Sequence, residues 1–240
     1  MAIRDASMRY HHADWELKRR FLRFLIKYIG FTLLAKVDHV EGIENVPAEG
    51  PGILLINHIA LIDPILVIHL LPRNIVPLAK MEVYDYPIVG IFPKMWGVVP
   101  LRRDEIDRQA LYHVMAILQA GELVLVAPEG TRHHELQQGR VGVAYLASRT
   151  NAPVIPVAID GTTGFPVFRT NKRWREAGAR VRFGKPFRYK PEFSKARSKD
   201  LRRMTDEAMY YLASLLPETR RGAYSDLSQA TQTTFEWLGE

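Results

Sequence analysis

The residues with the most chemical potential stand together early in the chain. Leu54-Leu55-Ile56 runs into Asn57-His58, and four residues separate His58 from Asp63-Pro64. An imidazole with a carboxylate in reach is the base-and-orienter half of a catalytic triad. No nucleophile accompanies the pair. The same residues also fit a plainer arrangement, a capped helix beside a satisfied core histidine. Two further segments combine an apolar run with charge. Gly97 to Leu101 leads into Arg102-Arg103, and Glu122 to Ala127 leads into Pro128-Glu129-Gly130-Thr131-Arg132. Paired arginines read as an anion site, because the guanidinium fork matches phosphate or carboxylate oxygens. Glu129 among them is either a partner that holds an arginine or a ligand for a substrate hydroxyl. Gly130 lets a backbone N–H approach closely.

These residues must be positioned by alternating strands and helices. Gly52 to Ile56 is short, apolar and bounded by Pro and Gly, as a buried strand is. Asp63-Pro64 reads as an N-cap followed by Pro at the first helical position, opening a helix to Leu71. Further strands are predicted at His39 to Glu41, Ile75 to Lys80, Gly97 to Leu101, Glu122 to Ala127, Val154 to Ile159 and Val181 to Phe187. Helices are predicted from Asp104, which caps one ending at Gly121, over Val141 to Thr150, and over Lys199 to Leu216. Gly161 to Arg180 reads as a loop or hairpin. The alternation predicts an α/β fold, one domain with a largely parallel or mixed sheet flanked by helices. The carboxyl ends of parallel strands line one crevice, so the polar strand exits would converge there.

Before this domain, Asp14 to Val37 reads as a basic amphipathic helix rich in aromatics. Trp15, Phe21, Phe24, Tyr28 and Phe31 alternate with Arg19, Arg20, Arg23, Lys27 and Lys36. That pattern suits a helix lying in a membrane interface. It suits equally a helix packed on the domain with its charges in water. The chain divides into residues 1–37, a polar segment and this helix; residues 38–216, the α/β domain; and residues 217–240, a polar tail.

Composition narrows the partners. The 240 residues are 47% hydrophobic and 25% charged, a globular balance. With no cysteine, disulfides and thiolate chemistry are excluded. The net charge of +7 favours an anionic partner. The positive residues are scattered and form no stripe interleaved with aromatics, so nucleic acid is not expected. No run of about 18 apolar residues is present, so no membrane span is predicted. Nor is a signal peptide predicted after Met1. His133-His134 lacks carboxylate or cysteine partners at ligand spacing, so no metal site is predicted. In the 161–180 loop, Lys172, Arg173, Trp174 and Arg175 with Phe165 and Phe168 suit a membrane interface, a ligand phosphate or a plain surface hairpin.

Taken together, the motifs resemble those of the PlsC-like glycerolipid acyltransferases, the 1-acylglycerol-3-phosphate or lysophosphatidic acid acyltransferase type. Asn57, His58 and Asp63 match N-H-x-x-x-x-D. Gly97 and Arg103 match a Gly followed six residues later by Arg. Pro128 to Arg132 match P-E-G-T-R in full, and Ile155, Pro156 and Val157 match an apolar residue followed by P-V. All four occur in the family's order, across roughly Gly42 to Phe187. Ala60 stands where many members carry Ser, and Pro100 and Arg102 replace a common aromatic and acidic residue.

The resemblance implies an O-acyltransferase that moves a fatty acyl chain from an acyl-CoA or acyl-carrier-protein thioester to a lysophospholipid hydroxyl. His58 would be the base and Asp63 its orienter. Arg103, Glu129 and Arg132 would hold the acceptor's phosphate and glycerol, with Gly130 and Thr131 shaping the loop. Asn57, Gly97 and Pro156 would border the acyl or acceptor pocket. No cofactor is implied beyond the acyl donor. The implied location is the cytoplasmic face of an anionic membrane, as a peripheral protein. Other lysolipid or glycolipid acceptors, and a non-catalytic lipid-binding protein on the same scaffold, are the alternatives.

Overall fold

In the computed structural model, which describes residues 10–11, 13–102 and 107–239, the central strand is Gly52–Ile56. It is buried along its whole length, and its side chains divide between two cores. Ile53 and Leu55 enter one, while Leu54 and Ile56 enter the other. Burial on both faces explains why the strand reads as a continuous apolar run rather than an alternating one. Each of these side chains contributes about 1.5–3 kcal/mol by leaving water.

In chain order, the strands are β1 (Val37–Glu41), β2 (Gly52–Ile56), β3 (Ile75–Lys80), β4 (Val99–Leu101), β5 (Leu123–Val126), β6 (Val154–Asp160), β7 (Ala179–Phe183), β8 (Phe187–Tyr189) and β9 (Phe235–Trp237). The helices are α1 (Ala13–Leu25), α2 (Asp63–Leu70), α3 (Ile91–Trp96), α4 (Arg108–Gln119), α5 (Gly142–Thr150) and α6 (Ser198–Ser214). The sheet runs β1-β7-β6-β2-β5-β3-β4, with β8 on β6 and β9 on β8. The five strands β6, β2, β5, β3 and β4 are mutually parallel. β7 returns antiparallel to β6, and β1 runs parallel to β7. One core holds α4, α5 and α6 against the sheet, and the other holds α1, α2 and α3. This is the α/β architecture predicted, with a mixed, mostly parallel sheet.

Several local expectations differ from what forms. The last strand is two, because Gly184-Lys185-Pro186 interrupts it; Val157 pairs with Phe183, and Val154 with Phe187. Pro156 stands opposite that break, where a strand tolerates a residue without an N–H. Helix α4 is capped by Asp107, whose Oδ1 accepts from the Ala110 N–H at 2.9 Å. Asp104, the predicted cap, lies outside the described residues. The predicted polar tail is folded: β9 extends the sheet, and Glu207 of α6 anchors the approach to it. That buried carboxylate accepts five hydrogen bonds from Thr231, Thr233 and Thr234. Burial acts to raise its pKa, but the threonine donors outweigh burial and hold it at about 2.

The N-terminal helix both packs and projects. α1 continues with i→i+5 bonding over Ile26–Leu34. Arg19, Leu22 and Ile26 are buried against the domain. The Arg23 guanidinium donates to the carbonyls of Ile68, Leu71 and Arg73, closing the C-terminal end of α2. Gly97, with φ +76°, ends α3 and meets the Trp15 ring; a Cβ there would lie 2.7 Å from the indole. Glycine is required at that position by its backbone angle and by the approach of α1. Among the described residues, no helix is long and apolar enough to cross a membrane.

Candidate active site

Three adjacent parallel strands, β6, β2 and β5, end side by side, and each exit supplies a piece of one site. β2 delivers His58. Its Nδ1 lies 3.0 Å from Oδ2 of Asp63. The imidazole retains 18% exposure, while the carboxylate has none. With Nδ1 bonded to a carboxylate, the proton belongs on Nδ1, and Nε2 keeps a free lone pair.

Asp63 is the first residue of α2 rather than its N-cap; Ile62 occupies the cap and makes no side-chain bond there. The carboxylate turns back over the preceding loop instead. Oδ2 accepts from the backbone N–H groups of Ile59 at 2.7 Å and Ala60 at 2.8 Å. Oδ1 accepts from the Thr162 hydroxyl at 2.6 Å. The five-residue spacing is what lets one carboxylate both close its own loop and hold the imidazole. Pro64 follows at a position where no N–H is needed.

The backbone of His58 is held from both sides. Its N–H donates to Glu129 Oε2 at 3.2 Å, and its carbonyl accepts from the His133 N–H at 2.9 Å. Glu129, buried at the exit of β5, also accepts from the Gln137 N–H at 3.0 Å through Oε1. Its carboxylate therefore ties two loops together, and neither role foreseen for it, arginine partner or hydroxyl ligand, is what these bonds show. Burial pushes its carboxyl up to about 7, with Asp63 adding in the same direction against the two backbone donors.

The other predicted site residues fall into place unevenly. Gly130, with φ +76°, turns the loop, and a Cβ there would lie 3.3 Å from Arg140 Nε. Thr131 and Arg132 are exposed just beyond it. Arg103 lies outside the described residues; Arg102, before it, is exposed at the exit of β4. That exit is on the same edge of the sheet but separated from β2 by β5 and β3. Asn57 is engaged within the sheet. It is buried, and its amide donates to and accepts from the Ile159 backbone, both at 2.8 Å, clasping β6 to β2. Gly97 is engaged by Trp15, and Pro156 is buried within β6. Arg173 does not reach out for phosphate; its guanidinium is spent on the carbonyls of Gly161, Thr163 and Ala177. Among the described residues, no group of three His, Asp or Glu is placed to hold a metal.

The raised Glu129 carboxyl has a stability consequence. An acid whose folded pKa lies near 7, against an unfolded value of 4.5, favours the fold fully below pH 4.5. That contribution declines as pH rises to about 7 and is level above. The Tm of the protein minus that of Glu129→Gln is expected to fall across this window, measured by calorimetry at successive pH values. A pH-independent difference would contradict the assignment.

A protein-family model described as Acyltransferase matches residues 38–160, half of the chain. The chain is 31% identical over 153 residues to a chloroplastic 1-acyl-sn-glycerol-3-phosphate acyltransferase of Arabidopsis thaliana, covering 60% of this chain and 42% of that one. It is 32% identical over 130 residues to the 1-acyl-sn-glycerol-3-phosphate acyltransferase of Borreliella burgdorferi, covering 52% of each. The chain thus spans about half the length of these curated relatives. The crystal structure of PlsC from Thermotoga maritima superposes with a TM-score of 0.59 at 24% identity, over 91% of this chain and 84% of that one. The matched span contains β2 to β6 with the β2 and β5 exits that hold His58, and the chain belongs to the Acyltransferase family.

Proposed function

We propose that the chain transfers an acyl group from the thioester of acyl-CoA or acyl-carrier protein to the free hydroxyl of a lysophospholipid, converting 1-acylglycerol-3-phosphate to phosphatidic acid. His58 Nε2 takes the proton of the acceptor hydroxyl as its oxygen attacks the thioester carbonyl carbon. The tetrahedral intermediate collapses, the C–S bond breaks, and the imidazolium returns the proton to the departing sulfur. Asp63 keeps Nδ1–H in place and stabilises the transient positive charge. The protein supplies no nucleophile, which agrees with the lack of cysteine. Arg132 and Arg103, after β5 and β4, supply positive charge for the acceptor's phosphate, with Gly130 and Thr131 turning the loop. The observation that carries this reading is the His58–Asp63 pair, in which a fully buried carboxylate holds a half-buried imidazole. A lipid-binding scaffold has no use for a base so held.

The acceptor resides in a bilayer, and the surface fits an approach to one. Leu17, Phe21, Phe24 and Tyr28 project from α1 and its continuation at helical spacing, with Leu17 81% exposed. Exposed Lys18, Arg20 and Lys27 flank them. Tyr86, Ile88, Val89 and Ile91 form a second exposed apolar segment, with Ile88 at 82%. It follows β3, whose carboxyl end lies on the same edge of the sheet as that of β2. Apolar residues beside basic ones suit an anionic interface, as at the cytoplasmic leaflet. The protein is therefore read as peripheral to that face.

His58→Ala is expected to lower kcat about 10³-fold in an assay of free thiol release from acyl-CoA with 1-acylglycerol-3-phosphate, while the chain stays folded at the assay temperature. Activity equal to that of the unsubstituted protein would sink the mechanism. Phe21→Asp with Phe24→Asp is expected to weaken co-sedimentation with anionic vesicles at least tenfold, on the order of what two phenyl groups contribute. Undiminished co-sedimentation would exclude this face as the membrane contact.

A further inference from the structure

Asp63 takes three of its four hydrogen bonds on one oxygen. Oδ2 accepts from His58 Nδ1, Ile59 N and Ala60 N, all supplied by the loop that precedes α2. The fourth comes from elsewhere in the chain. The Thr162 hydroxyl, 99 positions away, donates to Oδ1 at 2.6 Å. Both side chains are shut off from solvent, Thr162 at 1% and Asp63 at 0% exposure. Water therefore has no access to replace this donor. Hydrogen bonds from a neutral hydroxyl to a carboxylate are short and strong for their kind.

We infer that Thr162 is a positioning residue for the His58–Asp63 pair, holding the carboxylate in the one orientation that presents Oδ2 to the imidazole. This rests on the acyltransferase reading above and adds to it a residue outside the four motifs. Nothing on Oδ2 alone distinguishes the two oxygens of the carboxylate. The hydroxyl on the far side does, and it opposes rotation about Cβ–Cγ while compensating charge that the burial of Asp63 would otherwise leave unsatisfied.

The loop that carries Thr162 is built to keep it there. It leaves the carboxyl end of β6, which Asn57 clasps to the exit of β2. Gly161 has φ +75°, and a Cβ there would lie 2.2 Å from the Gly178 carbonyl oxygen, so the turn into Thr162 admits only glycine. Arg173 donates to the carbonyls on either side, Gly161 at 2.7 Å and Thr163 at 2.8 Å, and its guanidinium lies over the Phe165 ring at 4.2 Å. Phe165 packs in turn with Ala60 and Ile62, the residues of the His58 loop. A continuous set of contacts thus runs from Arg173 through Thr162 to Asp63 and His58.

Two variants remove the hydroxyl, Thr162→Val at nearly equal volume and Thr162→Ala with less bulk, and Thr162→Ser restores it. With acyl-CoA and 1-acylglycerol-3-phosphate as substrates, Val and Ala are expected to lower kcat about 10- to 100-fold with KM within about twofold, and Ser to stay near the unsubstituted protein. A second readout does not depend on turnover: the ring ¹⁵N–¹H resonances of His58 should shift in Val and Ala and stay in place in Ser. Thus a protein that transfers no acyl group refutes the function while the spectra still decide the coupling. Unmoved His58 resonances in Val and Ala overturn the inference, as does a loss of activity no larger than the loss of folded protein. If Val does not fold, Ala and Ser read the same quantities.

Discussion

A carboxylate with no water around it must find all its hydrogen bonds in the protein, and the architecture around Asp63 follows from that requirement. Its four donors come from the β2 exit and from the β6 exit. The strands must therefore be neighbours and parallel, so that their carboxyl ends coincide. The Asn57 amide secures that pairing at the point where both strands leave the sheet. Glu129 and His133, from the β5 exit, hold the His58 backbone from the other side. Removing one donor from such a buried anion costs about 1–3 kcal/mol, more than most surface interactions contribute, which is why the loops are so heavily tied.

The N-terminal helix carries two apolar faces. Leu22 and Ile26 fill the core against α2 and α3, and Leu17, Phe21, Phe24 and Tyr28 face outward. Its arginines divide likewise. Arg19 and Arg23 point inward, donating to backbone carbonyls and lying over the Trp96 ring, while Arg20 is exposed. The near-uniform apolarity that suggests an interfacial helix is thus half accounted for by packing. The far end of its i→i+5 segment reaches the active-site loops: Phe31 stacks on His69 of α2, and Leu34 accepts from Val167. The helix is thus tied both to α2, which begins at Asp63, and to the loop after β6.

Much of this was legible before any coordinates. Buried parallel strands read as apolar runs bounded by Gly and Pro, so β2, β3, β5 and β6 were found within a residue or so of their ends. The His58–Asp63 contact was legible because both partners lie in one short loop, where spacing constrains geometry. Thr162 was not, since a contact between residues 99 positions apart leaves no local pattern. Glu129 and Arg173 are visible in the sequence as charges, but their bonds to backbone groups are not, because sequence does not tell whether a side chain meets a ligand or its own backbone. The break between β7 and β8 was signalled by Gly184 and Pro186, yet the flanking apolar residues read as one strand. The folded C-terminal segment was hidden by its polarity: three threonines that look like tail residues are the ligands of Glu207.

The central claim is that His58 activates the acceptor's own hydroxyl and that no acyl group passes through the protein. Intact-mass spectrometry tests it directly, with samples quenched during turnover and after incubation with acyl-CoA alone. The account predicts an unmodified chain mass in both while phosphatidic acid accumulates in the first. A chain carrying one acyl group, formed without acceptor and discharged when 1-acylglycerol-3-phosphate is added, would contradict it.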